Sequence, residues 1–274
     1  MRPEILRKLD RVREKALTRG VPLPDIDRWL AAARPCATLA PQGNGPVVGR
    51  FGGPALLPTA HPELPQRTYL IASLDLAALP SDATTLPLPS DGRLLLFARS
   101  YDDGLDADGE AVYVPAGTPV GQRPLAPGYA SDDAWAGLEE GLRSAGGELR
   151  LRHDVSLPDN ASLFDPAEHP RAEDLRDAWR EVQYEDRQDA GTSHLQLDGY
   201  SSDPYRETDL VTASAWQAAR KTGQAPRPAD WALLAQWHGA AHIDGDVYWT
   251  IRKRDAAAGR FDAVTVLGFF EGPV

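Results

Sequence analysis

The sequence predicts an α+β fold that is mostly β: a duplicated antiparallel β-meander, roll-like, preceded by an N-terminal amphipathic helix and carrying a few helices in its connections. Three observations predict it. Asp91-Gly92-Arg93-Leu94-Leu95-Leu96-Phe97-Ala98-Arg99 is echoed by Asp244-Gly245-Asp246-Val247-Tyr248-Trp249-Thr250-Ile251-Arg252, each a turn followed by a β-rich run. The echo extends outward, since residues 69–74 precede the first copy as residues 231–236 precede the second, and residues 111–114 answer residues 263–266. The 24 Pro and 24 Gly imply many turns and irregular connections rather than a helical bundle. Ile5, Leu9, Val12 and Ala16, with Leu6 and Leu17 alongside, recur at helical spacing and place the basic residues on the outer face of a first helix.

The remaining elements follow in order. Pro24-Asp25 opens a second short helix through about Arg34, stopped by Pro35 and a loop from Pro41 to Pro46. Val47 begins the β region, and a Pro-rich stretch leads to a strand over residues 69–75. Strands at Leu94 to Arg99 and Val112 to Val114 flank the acidic segment Asp102 to Gly109, whose Asp-Gly pairs favour a hairpin turn. Helices are predicted near Asp132 to Ser144 and Arg171 to Tyr184, and between them Leu149 to His153 alternates as a half-exposed strand. Thr208 to Lys221 reads as a helix. Trp231 to Trp237 has a helix-like start at Pro228-Ala229-Asp230, but the echo with residues 69–74 decides for a strand. The division that results is an N-terminal helical segment and linker, residues 1–46, and a duplicated β domain, residues 47–274, with halves at about 47–128 and 190–274.

Composition narrows the function classes. The formal charge of −11 argues against a general nucleic-acid surface, because phosphate binding needs clustered Lys and Arg. Residues 1–19 hold seven Lys or Arg and three acids, net +4, so the rest carries −15. Docking of this helix on the core is favoured over membrane-surface or partner binding. No apolar run suits a signal peptide or a membrane span, and one cysteine, Cys36, permits no internal disulfide. A cytoplasmic protein is expected.

Five segments carry a resemblance. They are Gly52-Gly53-Pro54-Ala55-Leu56-Leu57-Pro58; Ser73-Leu74-Asp75-Leu76 followed by Asp91-Gly92; Ser193-His194-Leu195-Gln196-Leu197-Asp198-Gly199-Tyr200; Leu233-Leu234-Ala235-Gln236; and Gly245-Asp246-Val247-Tyr248-Trp249. Over roughly residues 47 to 270 the chain resembles the YwqG-like family of bacterial proteins of unknown function. It departs at Ser73, where the family has Gln, at the shifted Pro54, and at Leu64-Pro65 in place of Trp-Pro. The resemblance implies a mostly β, duplicated roll and transfers no catalytic residue.

His194, Asp198, Tyr200 and Asp203 form the densest polar and aromatic cluster, and His with a carboxylate could perform general acid-base work. On a strand His194, Gln196 and Asp198 share a face, which is either a cleft wall or solvated surface. His194 and Asp198 are the catalytic candidates; Gln196, Tyr200, Asp203 and Trp237 are the ligand-binding candidates. His238 and His242 have the i, i+4 spacing that ligates zinc from a helix face, but the segment reads as a turn without an adjacent third ligand. A hydrogen-bonded or solvent-facing pair is the favoured reading there. The acids of Asp102 to Glu110 lack a full calcium-loop pattern, and a charged hairpin is favoured. Cys36 has no base nearby in sequence, no nucleophile elbow is present, and the glycines at 43, 45 and 49 are interrupted by Pro46. No cofactor is expected. The function expected is a non-enzymatic binding protein for a basic partner, an immunity-type protein facing a toxin being one form; the alternative is a hydrolase around His194, Asp198 and His238.

Overall fold

The computed structural model describes residues 2–65, 68–100, 107–123, 147–165, 167–190, 194–202, 209–223, 225–238 and 244–271. The helix expected near Asp132 to Ser144, the acidic stretch Asp102 to Asp106, Asp203 and His242 lie outside them. In chain order the described elements are α1 (Pro3–Thr18), α2 (Leu23–Leu30), β1 (Arg34–Ala40), β2 (Val47–Phe51), β3 (Ala55–Pro58), β4 (Thr68–Asp75), β5 (Arg93–Ser100), β6 (Ala107–Val114), β7 (Val120–Arg123) and β8 (Gly147–Ser156). They continue with α3 (Ala172–Ala190), β9 (His194–Leu197), α4 (Leu210–Thr222), β10 (Trp231–His238), β11 (Asp244–Arg252), α5 (Lys253–Ala257) and β12 (Thr265–Glu271).

Ten strands close an antiparallel barrel in the order β1-β8-β2-β4-β5-β6-β12-β11-β10-β9, and β3 pairs with β7 in a separate two-stranded sheet. Closure removes the exposed strand edges that an open sheet of this length would present. The barrel is filled by side chains at alternate strand positions, among them Leu39, Phe51, Ile71, Leu94, Leu96, Leu151, Leu195, Leu197, Trp237, Val247, Trp249 and Ile251. Trp249 turns its indole N–H to the Phe97 carbonyl, 3.1 Å away, which satisfies its polar edge inside the core. Outside the wall, a second apolar cluster joins α1, α2 and α3 to β8 through Leu9, Val12, Ile26, Trp29, Val155, Leu175, Trp179 and Val182.

The expected mostly β architecture is found, with two three-stranded meanders, β4-β5-β6 and β10-β11-β12, joined where β12 meets β6. In the hairpins Thr68 lies opposite Arg99 as Trp231 lies opposite Arg252, and each first strand shifts register at a matching place, Leu70/Ala72 and Leu233/Ala235. Thr68, not Tyr69, therefore occupies the place of Trp231, so the sequence echo over this strand is one residue out. The faces agree only in the shifted register: Ile71 and Leu234 point into the barrel, while Leu70 and Leu233 point out. A one-residue slip exchanges the two faces of a strand, which is why burial resolves what similarity left ambiguous.

Two expectations are corrected. The second helix ends at Leu30, and Arg34–Ala40 forms a strand between β8 and β9, partners more than a hundred residues away in the chain. Pro35 is tolerated because β9 pairs only with Ala37 to Leu39, so at Pro35 the strand is paired on the β8 side alone, as at a sheet edge. The cations of α1 are not simply an outer face. Lys8 turns inward, its side chain 11% exposed, to Asp154 on β8 and Asp186 on α3. Arg11 meets Asp186 and Glu185, Lys15 meets Glu181 and Glu185, and Arg19 meets Glu181, so α3 supplies an acidic stripe matching the basic one. Arg2 pairs with Asp82 and Arg13 with Asp10 and Asp27, so six of the seven cations in this segment are ion-paired within the chain. No described helix is long and apolar enough to cross a membrane.

Candidate functional site

Alternation along β1, β8, β9, β10 and β11 puts apolar side chains inside the barrel and polar ones on its outer wall. The register aligns these into rungs. One runs Arg152, Thr38, Gln196, Gln236, Tyr248 and a second runs His194, His238, Asp246. The result is a polar shelf on the barrel wall, roofed at one end by α1 and α3.

On the second rung the imidazoles of His194 and His238 stack with centroids 4.3 Å apart and planes 24° off parallel. The Nδ1 of His238 lies 3.2 Å from Asp246 Oδ1. The other oxygen of Asp246 accepts from Tyr248 Oη and Gln236 Nε2, each at 3.2 Å. Gln236 is itself fixed, donating to the Ser202 carbonyl at 2.8 Å and accepting from the Ser202 N–H at 3.0 Å. Tyr248 Oη also lies 2.7 Å from the Ser202 carbonyl, so its single proton is shared between that carbonyl and Asp246. Asp246 is the carboxylate partner of the histidine pair, and sequence reading missed it. The available signal was its place eight residues after His238 in a segment that crosses a turn between two strands.

Asp198 has a different task. Its Oδ2 accepts from the N–H of Thr85 at 2.5 Å and from the Thr85 hydroxyl at 2.6 Å, and its Oδ1 accepts from the N–H of Gly199 at 2.7 Å. It pins the β4–β5 connection to the end of β9. Asp198 and Gly199 both hold positive φ, +66° and +85°, and a side chain at Gly199 would collide with Ser156 Oγ. Gln196 donates to the carbonyls of Asp198 and Tyr200, both at 2.9 Å, so its amide closes the same turn. Tyr200 donates to the Ala32 carbonyl at 3.1 Å and lies under the guanidinium of Arg34, 4.0 Å from the ring centroid. Burial pushes its hydroxyl above the usual tyrosine range, with Arg34 opposing. Trp237 faces the barrel interior, fully buried, on the opposite side of β10 from His238.

A cavity of about 30 Å³ lies beside the histidine pair, lined by Lys8, Thr38, Asp154, Gln183, Asp186 and His194 among others. That volume holds about one water. Lys8 Nζ approaches Asp154 at 2.7 Å and Asp186 at 3.0 Å, and Asp154 also accepts from Thr38 Oγ1 at 2.9 Å and the Val155 N–H at 2.8 Å. Burial pushes the Asp154 carboxyl up, but Lys8, Arg152 and these hydrogen bonds together hold it below the ordinary carboxylate range. Burial likewise works against the charge on Lys8, and Asp154 with Asp186 more than restores it, raising its pKa. The Cys36 thiol at the margin of the cavity is pushed well up by burial, with Asp154 adding and Lys8 opposing. None of Lys8, Asp154 and Asp186 was singled out from sequence, because their meeting depends on α1, β8 and α3 packing together.

Of the sequence-predicted residues, the shelf brings together His194, Gln196 and His238, and places Asp198 and Tyr200 at its end as turn-forming groups. Among the described residues no group of three or more His, Cys, Asp or Glu side chains is placed to hold a metal ion. A family model described as "Domain of unknown function (DUF1963)" matches residues 49–267. No curated protein matches the chain.

Proposed function

The chain belongs to the DUF1963 family, and on that premise we propose that it is a non-enzymatic binding protein whose acidic body engages a basic protein partner. One observation carries the reading. Six of the seven cations in the basic N-terminal segment are ion-paired with acids of the same chain, so the segment is docked rather than a free arm, and solvent and partners meet a body whose net charge, these cations included, is −11. The shelf supports it by what its groups already do. Asp198 and Gln196 are committed to turns, Asp246 is held by three neighbours, and the cavity beside the histidines admits about one water rather than a substrate. The finer placement among YwqG-like bacterial proteins, descent of the two meanders from one duplicated unit, and a cytoplasmic, immunity-type role belong to the same proposal. So does the division into residues 1–46 and 47–274, with β1 lent to the barrel by the first segment. The test is capture from a cell lysate on the immobilised chain at low and high salt, followed by titration of the purified partner. A saturable, salt-weakened complex with a protein of net positive charge is expected; the absence of any saturable partner overturns the reading.

A hydrolase is the second reading, favoured by the His238–Asp246 contact with His194 stacked beside it. Screening ester, amide and phosphodiester substrates with wild type, His194→Ala and His238→Ala, together with metal analysis of the purified protein, decides it. Activity lost in both variants supports an enzyme, and no activity with no bound metal removes it.

A further inference from the structure

We propose that the cavity between α4 and the β11–α5 corner is an anion site that receives a phosphate group, free or as a small phosphate ester. The cavity has a volume of about 420 Å³ and is lined by Arg227, Arg252, Arg254, Asp230 and Trp231, with Ala215 and Ala219 of α4 as an apolar wall. Three guanidiniums against one carboxylate give the cavity an excess of two positive charges in a chain of net −11. Among the described residues Arg227 and Arg252 have no carboxylate partner. Arg254 has only Asp255 at 3.9 Å, a carboxylate that Arg260 holds in a much closer contact, and its side chain is 71% exposed.

The contrast with the larger cavity beside β1 and β8 is instructive. There Arg2, Arg150 and Arg152 also line the wall, but they are matched by Asp82, Glu148 and Asp154. Arginines that face a concave surface without pairing to a carboxylate leave their forked donors for a ligand, and phosphate oxygens fit that fork in bidentate fashion.

The walls are held in place. Arg252 lies opposite Trp231 in the β10–β11 register, and its guanidinium sits over the indole, 5.3 Å from the ring centroid, which orients it before any ligand arrives. Lys253 Nζ donates to the Ala229 carbonyl at 2.9 Å, clamping the 3-10 turn at Pro228–Asp230 to the start of α5. Arg220 and Lys221 in the last turn of α4 counter the partial negative charge of that helix end. Among the described lining residues Asp230 is the one like-charged group toward the ligand; it disfavours anions of high charge at its own edge and directs the phosphate toward the three arginines. The volume exceeds that of a phosphate alone, and the Ala215–Ala219 wall suits a modest apolar substituent.

The experiment titrates the full-length chain at low ionic strength with inorganic phosphate and with phenyl phosphate by calorimetry, in wild type and in Arg227→Gln, Arg252→Gln and Arg93→Gln. Arg93 is exposed at the start of β5 and removes the same unit of charge elsewhere. Saturable binding of at least one probe is expected, weakened about tenfold or more by Arg227→Gln and by Arg252→Gln and unchanged by Arg93→Gln. Tighter binding of phenyl phosphate identifies an ester as the ligand, and equal binding identifies the free ion. Arg227 lies in a loop outside the strand pairing, so its variant keeps the test informative if Arg252→Gln perturbs the hairpin. No saturable binding of either probe, or equal weakening by Arg93→Gln, overturns the proposal.

Discussion

Replacing Lys8 by Met tests the charge arrangement that seats α1 on the barrel. Lys8 is 11% exposed and Asp154 8%, so neither charge can fall back on water when its partner is lost. The methionine keeps most of the aliphatic stem that lies against Trp179, whose ring centroid is 4.9 Å from Lys8 Nζ, so the change is mainly electrostatic. Asp186 keeps Arg11, but among the described residues Asp154 keeps only Arg152 as a cation, and that arginine is itself 45% exposed. Breaking a buried pair from one side costs about 3–5 kcal/mol. With an unfolding entropy of about 2.1 cal/mol/K per residue, the whole chain melts with about 0.6 kcal/mol/K, so the midpoint falls by about 5–9 °C. The pH dependence has a defined sign. The folded Asp154 carboxyl titrates below its unfolded value, so its stabilisation is present above the ordinary aspartate pKa and is lost as pH falls through the folded one. The folded Lys8 titrates above its unfolded value, so its share is present below the ordinary lysine pKa and is lost as pH rises through the folded one. Calorimetric melting of wild type, Lys8→Met and Lys8→Met/Asp154→Asn at neutral and acidic pH measures this. The single variant's deficit should shrink in acid, where its Asp154 protonates, and the double variant should recover much of it at neutral pH. A deficit below about 1 kcal/mol, the range of surface pairs, would refute the reasoning, as would a double variant less stable than the single one.

Gly199→Ala should cost about 2–4 kcal/mol in denaturant unfolding, combining a left-handed backbone with the collision at Ser156. Gly20→Ala, at φ +73° in open space, should cost only about 1 kcal/mol, and equal losses would show that the collision relaxes freely. Thr85→Val removes the hydroxyl donor to Asp198 and leaves the N–H donor, so a loss of about 1–2 kcal/mol with faster amide exchange in the β4–β5 connection is expected; unchanged exchange would rule out the anchoring role. The Cys36 thiol, buried and shifted well upward, should resist thiol reagents in the native protein and react fully once unfolded, whereas rapid native labelling at neutral pH would contradict its placement.

Local pattern alone determined the mostly β class, the amphipathic first helix and the strands carrying the echoed segments, because alternation and helical spacing are written in neighbouring residues. It also pointed to His194, Gln196 and His238, which do share one face of adjacent strands. It could not determine β1, whose helix-like approach through Ala31 to Ala33 becomes a strand only because β8 and β9 offer hydrogen bonds from far along the chain. The one-residue error in the echo had the same origin, since register depends on which face meets a core that similarity does not contain. Asp198 looked like a partner for His194 on spacing, but a left-handed turn swings its carboxylate to Thr85, and Asp246 takes the place beside the histidines from a third strand. Composition marks the N-terminus as basic and its amphipathic spacing favours docking on the core, but neither names the acids that receive its cations. Only the packing of α1 between β8 and α3 decided that its cations face Asp154, Asp186, Glu181 and Glu185, because the energy of an ion pair depends on distance and burial, and neither is a property of composition.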